Sequence, residues 1–256
     1  MKALLMISPA DAEIEGRIAR EIEHHRRIAS RAEAIWNWES PAGRRRAERR
    51  ASLLATAAGL GPGRRALEIG CGTGVFLERA AASGAQIVGL DLSSDLLRRA
   101  RERLGGTPNV ALWCGNAERL PFSDASFDAV YGSSVLHHLD VGAALCEVRR
   151  VLKPGGRMAF AEPNILNPQI AITFSFRPLR RHLGVSPDEM AFSRAYAREA
   201  AQAAGLAAIE VRPFDFLHPS SPARWIGRIE SLSRLLERLP IIREFSGSLL
   251  LAATKP

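Results

Sequence analysis

The chain has little cysteine, almost no lysine and no long apolar run. Its three cysteines, Cys71, Cys114 and Cys146, lie far apart and form no CxxC pair. So sparse and odd a set argues against a disulfide framework and against a structural zinc site, and it points to a reducing cytoplasm. No stretch approaches the ~18 consecutive apolar residues of a membrane-spanning helix. Met1–Ile7 carries one lysine and a short apolar run, too short for the hydrophobic region of a secretory leader. Repeats and low-complexity tracts are absent from the sequence.

The lysine deficit qualifies the charge. Lys2, Lys153 and Lys255 are the only lysines among 35 basic residues; the rest are arginine. A net charge of +8 and a pI near 10.3 suit a nucleic-acid partner. Abundant alanine with arginine in place of lysine is also what a GC-rich genome produces, so the charge is a weak clue. What the chain does have is 46% hydrophobic and 24% charged residues over 256 positions. That is a globular composition, long enough for one large domain with additions.

The first sixty residues read as a helical extension. Ile14, Ile18, Ile22, His25, Ala29, Ala32 and Trp36 recur at spacings of three and four, a single amphipathic stripe. A second helix is expected from Pro41 to Ala58, carrying Arg44, Arg45, Arg46, Arg49 and Arg50, and stopping at Gly59–Gly63. From residue 61 to 256 the texture is that of one domain. Short apolar runs at Ala66–Ile69, Gln86–Leu90, Val110–Trp113, Phe127–Tyr131 and Arg157–Ala161 alternate with helical stretches, one of them at about Val141–Leu152. That alternation implies βαβ units and a parallel sheet, with ligands at the C-terminal strand edge. Lys153–Gly156 reads as a turn feeding the fifth strand. Residues 163–192, with four prolines, read as an irregular insertion over the substrate. A helix at about Ser193–Ala204, a strand at Ala207–Phe214, a helix at Pro222–Leu239 and a last strand at Ser246–Ala253 complete the chain. The stripe Trp225, Ile229, Leu232, Leu236 and Leu239 is expected to pack on the sheet, with contact to a membrane surface as the other reading.

The sharpest signal is Ala66-Leu-Glu-Ile-Gly-Cys-Gly-Thr-Gly74, a strand running into a glycine-rich turn and a helix. Glycine there permits a tight turn and close approach of a ligand to the peptide atoms. Position 75 is Val, where a dinucleotide fingerprint wants Gly or Ala, and Glu68 would repel a pyrophosphate. A carboxylate at 68 suits a cationic or amine-bearing ligand.

With these residues the sequence resembles the class I S-adenosylmethionine-dependent methyltransferases, closely over about residues 60–163 and in outline through 254. Leu67–Gly74, Gly89–Ser93, Gly115–Phe122, Phe127–Leu139 and Glu147–Gly156 look like its motifs in order. The resemblance implies an α/β, Rossmann-like seven-stranded sheet of order 3-2-1-4-5-7-6, strand 7 antiparallel, with helices on both faces. It implies S-adenosyl-L-methionine as cofactor, S-adenosyl-L-homocysteine as product, and no metal. Gly70, Cys71, Gly72 and Gly74 would wrap the methionine part, with Cys71 a filler in the turn. Asp91 would accept the two ribose hydroxyls, since a carboxylate is acceptor-only. Leu92 would lie on the adenine face and the Ala117 N–H would meet the ring. Asn116 stands where the family usually has Asp, so its bond to the adenine amino group lacks charge assistance. Carbonyls near Gly70 and Ser133, with Glu68 through water, would hold the ammonium group.

Methyl transfer from a sulfonium needs proximity and orientation, and a base only if the acceptor must lose a proton. His137, His138 and Glu162 are the candidate catalytic groups at the ends of strands four and five. Trp36, Tyr131, Asn164 and Arg177 are candidates for contact with the substrate, Trp36 with Trp38 as an aromatic wall. Tyr131-Gly-Ser-Ser134 replaces the Asn/Asp-Pro-Pro-aromatic motif common in amine methylation. Phe174, Phe176, Arg177, Arg180, Arg181 and His182 suit an acidic or lipid-linked acceptor, and Glu162-Pro-Asn and Asn167-Pro resemble bacterial enzymes of surface-glycan and lipid pathways. The expected function is O- or C-methylation of a small-molecule or lipid-linked acceptor. A nucleic-acid methyltransferase and a non-catalytic binding protein on the same fold are the alternatives.

Overall fold

The computed structural model describes residues 9–176, 180 and 189–256, with side chains from residue 15 onward. One sheet contains β1 (Arg65–Ile69), β2 (Gln86–Asp91), β3 (Val110–Cys114), β4 (Phe127–Ser133), β5 (Leu152–Pro163), β6 (Ala207–Phe214) and β7 (Ser248–Thr254). Their order is 3-2-1-4-5-7-6, and only β7 runs antiparallel to its neighbours. This is the sheet that the resemblance implies. The helices in chain order are α1 (Pro9–Ile28), α2 (Ala32–Ile35), α3 (Pro41–Ala58), α4 (Val75–Ala81), α5 (Ser94–Leu104), α6 (Val141–Val151), α7 (Pro168–Ser175), α8 (Arg194–Ala203) and α9 (Ile226–Leu236).

Strand alternation sorts the apolar side chains onto two faces, and a parallel sheet needs both covered. Leu67, Ile69, Val130, Met158 and Phe160 face α6 and α8, which contribute Leu145, Val148, Ala197 and Ala201. Ala66, Ala129, Tyr131, Ala159 and Ala161 face the other way, toward Leu54 and Ala58 of α3, Leu77 and Ala80 of α4 and Leu97 of α5. Thus α3, from the expected extension, is one of the helices that cover the sheet.

Several local readings change. The stripe from Ile14 to Trp36 is interrupted, because α1 ends at Ile28 and a 3-10 turn, Ala29–Arg31, precedes α2. Arg99 of α5 donates to the carbonyls of Ala29 and Ser30 at 2.8 and 2.7 Å, satisfying acceptors that the broken helical ladder leaves. Lys153–Gly156 lies within β5, beside a register shift against β4 between Phe127 and Ala129. The segment after Pro163 contains α7, whose N-terminus is capped by Asn167 Oδ1 accepting from Gln169 and Ile170. Arg177, Arg181 and His182 lie outside the described residues.

The largest departure is α9. Its expected apolar stripe does not meet the sheet: Trp225, Leu232 and Leu239 are exposed, as is Leu235. The buried side holds Ile226 and Ser233, and beside it Glu230 and Glu237 receive Arg45 and Arg49 of α3. Ile226, with Ile229 beside it, packs against Ala42 of α3 and Leu217, so part of the apolar stripe is buried and the rest faces solvent. No helix among the described residues is long and apolar enough to cross a membrane.

α3 begins as expected, with Ser40 Oγ accepting from Gly43 N at 2.9 Å and Pro41 in the first turn. A Cβ on Gly43 would lie 1.7 Å from the carbonyl oxygen of Asn37, so the Trp36–Trp38 loop meets α3 backbone to backbone. Gly43→Ala must lift that loop. We expect a loss of ~1–3 kcal/mol, the usual cost of overpacking, measured by urea denaturation.

Candidate functional site

The C-terminal ends of β1, β2, β3, β4 and β5 open onto a cavity of about 400 Å³, roofed by α1, the Trp36–Trp38 loop and α7. The glycine loop forms its floor. Gly70 has φ +66, and a Cβ there would sit 2.3 Å from Val135 Cγ2. Gly72 has φ +52, and the Trp36 ring lies 3.4 Å from where its Cβ would be. Both positions therefore require glycine, and Trp36 stands over the exposed backbone. Gly74 starts α4 at φ +79 and faces Ala100, away from the cavity wall.

Asp91, at the end of β2, is buried in the wall. Its Oδ2 accepts from Gly72 N at 2.8 Å and its Oδ1 from Ser93 N at 2.9 Å. The carboxylate thus fixes the glycine loop and retains lone pairs for a ligand. Leu92, Asn116, Ala117, Ser133 and Cys71 also line the cavity. Asn116 Oδ1 accepts from Glu118 N at 2.9 Å, which uses one of its two lone pairs in a local turn. Burial pushes the Cys71 thiol well above its ordinary range, with the charges of Asp91 and Glu68 adding to the rise. It is no nucleophile.

Glu68 and Tyr131 are paired in register across β1 and β4. Both are buried beneath the glycine loop, and neither lines the cavity. The pleat turns Tyr131, a candidate for substrate contact, into the α3 and α4 core and away from the cavity wall. Burial raises the Glu68 carboxyl to about 8, against the pull of the Tyr131 hydroxyl, and Asp91 adds to the rise.

Glu162, a candidate catalytic group, does not line the cavity either. It is buried, with Oε1 accepting from Val135 N at 3.1 Å and Leu136 N at 2.9 Å, and Oε2 lying 2.7 Å from His137 Nδ1. It orients His137 and does not reach the cavity wall. Asn164 is likewise structural. Its amide donates to the carbonyls of Glu244 and Ser246 at 2.8 Å, tying the end of β5 to the approach to β7.

His137 and His138 do line the cavity, beside Glu21 and His25 of α1 and Glu189. His138 Nδ1 is 3.5 Å from Glu21 and 3.8 Å from Glu189. Burial alone would lower the His138 pKa, but Glu21 and Glu189 outweigh it and the value is raised. His25 is lowered by burial, against the pull of Asp91.

The arginines of α3 divide. Arg45 and Arg49 pair with Glu230 and Glu237, and Arg46 pairs with Asp215 at 2.8 Å. Arg46 and Arg50 reach the cavity wall. Arg50 is buried, donates to the hydroxyls of Ser133, Ser134 and Ser248, and has no carboxylate partner among the described residues. Burial brings its guanidinium down to about 10. The sequence showed this run of arginines without distinguishing Arg50, whose i,i+4 relation to Arg46 was the available signal.

Comparison with known proteins follows this geometry. Residues 67–160 match the family model described as a methyltransferase domain. The match covers little more than a third of the chain. A demethylmenaquinone methyltransferase of Mycobacterium sp. (strain KMS) is 46% identical over 107 residues, 41% of this chain and 44% of that protein. The chain thus spans less than half the length of such curated relatives. The protein solved with the Trm112 methyltransferase activator of Haloferax volcanii has a TM-score of 0.66 at 24% identity, covering 90% of this chain and 96% of its own. An S-adenosylmethionine-dependent methyltransferase of Thermotoga maritima has a TM-score of 0.65 at 22% identity, covering 91% of this chain and 99% of its own. These structural likenesses show that the fold is shared over nearly the whole chain.

The Glu68 value gives a stability prediction. It lies above the 4.5 of an unperturbed glutamate, so between pH 4.5 and 8 the folded chain holds a proton that the unfolded chain has lost. Stability from this group is full below pH 4.5 and falls as pH rises toward 8. Glu68→Gln should flatten that fall and melt higher than wild type at pH 8, as read by thermal denaturation across the range.

Proposed function

We propose that the protein transfers a methyl group from S-adenosylmethionine to a small-molecule or lipid-linked acceptor, by O-methylation. The observation that carries this reading is Asp91: a buried carboxylate in the cavity wall, fixed by two backbone N–H groups beside a loop that only glycine can form. That donor set fits the cofactor. Asp91 would accept from the ribose hydroxyls, Leu92 and Ala117 would flank the adenine, and the backbone around Gly70 and Ser133 would hold the ammonium group. The Nε of Arg50 is buried without a hydrogen-bond partner among the described residues, which suits an anion, either the cofactor carboxylate or an acidic acceptor.

S-adenosylmethionine, when bound, supplies a methyl group already activated on a sulfonium. The chain's work is to place the acceptor and manage its proton. Trp36 and Trp38 line the cavity over the glycine loop, where they would shield a bound cofactor from water. Glu162 fixes the His137 ring, and the His137–His138 wall is where an acceptor hydroxyl loses its proton. The relatives' named substrate does not carry over to this chain, because the family match ends at residue 160, before α7 and α9. The nucleic-acid alternative weakens because Arg45, Arg46 and Arg49 are engaged by Glu230, Asp215 and Glu237.

Thermal shift with S-adenosylmethionine and S-adenosylhomocysteine tests the cofactor: stabilisation by neither sinks the enzyme reading. Asp91→Ala should weaken S-adenosylhomocysteine binding at least ~10-fold by calorimetry, the loss of charge-assisted bonds. His137→Ala should cut turnover by about 100-fold while leaving that affinity unchanged. Isotopically labelled cofactor, incubated with cell extract and followed by mass spectrometry, identifies the acceptor.

A further inference from the structure

We propose that the His137–His138 corner of the cavity binds a divalent transition-metal ion. His137, His138 and Glu189 bring one imidazole nitrogen each and a carboxylate oxygen within 4.8 Å of one another. His137 Nε2 is 3.9 Å from Glu189 Oε2, and His138 Nδ1 is 3.8 Å from Glu189 Oε1 and 3.5 Å from Glu21 Oε2. All four residues line the cavity. These separations are ion-pair distances, longer than the about 2.7–3.2 Å of a close hydrogen bond. They are close to the spacing of ligands that share an ion. Two atoms about 2.1 Å from a tetrahedral centre lie about 3.4 Å apart. The three ligand atoms, all within 4.8 Å of one another, would draw together to close the shell.

The surroundings are built for this. Glu162 Oε2 takes the Nδ1 side of His137 at 2.7 Å, leaving the Nε2 lone pair for the cavity. A carboxylate behind a ligating imidazole is the usual outer partner of a metal-bound histidine. Glu189 is held in place through its neighbours: Met190 N donates to the His137 carbonyl at 3.1 Å, and Arg180 donates to the Glu189 carbonyl at 2.9 Å. Two imidazoles with carboxylates favour zinc, iron or cobalt over magnesium or calcium. Such an ion deepens the reading of the cleft: a hydroxyl ligated to it ionises at lower pH, releasing its proton to solvent. Metal binding is measured without methyl transfer, so its failure would leave the methyltransferase reading standing.

The test uses the full chain with Cys114→Ser and Cys146→Ser, which remove exposed thiols that also take up metal. The protein is stripped with a chelator, dialysed against zinc or cobalt(II), and analysed for metal content and for cobalt absorption in the visible. We expect about one ion per chain at micromolar metal, with a four-coordinate cobalt spectrum. His138→Gln and Glu189→Gln should each abolish uptake, and Glu162→Gln should weaken it about 10–100-fold. Circular dichroism melts confirm that each variant folds; if His138→Gln does not, Glu189→Gln decides. Absence of stoichiometric uptake, or uptake that survives Glu189→Gln, would overturn the proposal.

Discussion

The histidine side of the cleft depends on one buried carboxylate. Glu162 stands at the end of β5 and accepts from two backbone N–H groups of the β4 loop and from the ring of His137. A carboxylate taken out of water costs several kcal/mol unless its oxygens are fully bonded, so it can stay there only while the loop keeps this shape. The loop includes Ser134 at φ +55, held by its N–H to the Ala161 carbonyl at 2.8 Å. The same loop presses Val135 against Gly70. A single acceptor thereby links the histidine wall to the shape of the glycine turn.

Asp91 does the equivalent work on the other side. It joins the end of β2 to Gly72, and its buried oxygens tolerate no slack. Arg50 spans the gap between β4 and β7 through Ser133 and Ser248. Three charged groups, each bonded mostly to backbone or hydroxyls, thus fix four strand ends. The sheet side of the cavity is cross-tied by these bonds, and α1 and α7 lie over it.

Much of this was legible in the sequence, for physical reasons. Glycines at 70 and 72 announce themselves because no other residue takes those angles beside Val135 and Trp36. The sheet followed from apolar runs alternating with helical periods; its order required the family resemblance. The failures share a cause. Periodicity reports how apolar a face is and says nothing about partners, so the spacing in α9 did not show that its buried side meets α3 and Leu217 while Leu232 and Leu239 face solvent. Tyr131 and Glu162 lie near a strand end, where one step along the pleat separates cavity from core. Asn164 looked like a site residue because it follows Glu162-Pro, yet its amide is spent on carbonyls. The corner formed by Glu21, His137, His138 and Glu189 draws on three distant segments, a proximity that no local spacing encodes.

α3 carries a further consequence. One side of it supplies Leu54 and Ala58 to the core beneath the sheet, and its first turns carry Arg46 and Arg50 to the cavity. Gly43 also binds it to the tryptophan loop above. Roof and foundation are therefore one piece of chain. A fold that hosts many chemistries can change acceptor by exchanging what lies over its strand ends. Here such an exchange would have to conserve half of a structural helix, which leaves α1 and α7 as the parts of the roof free to diverge without rebuilding the interior.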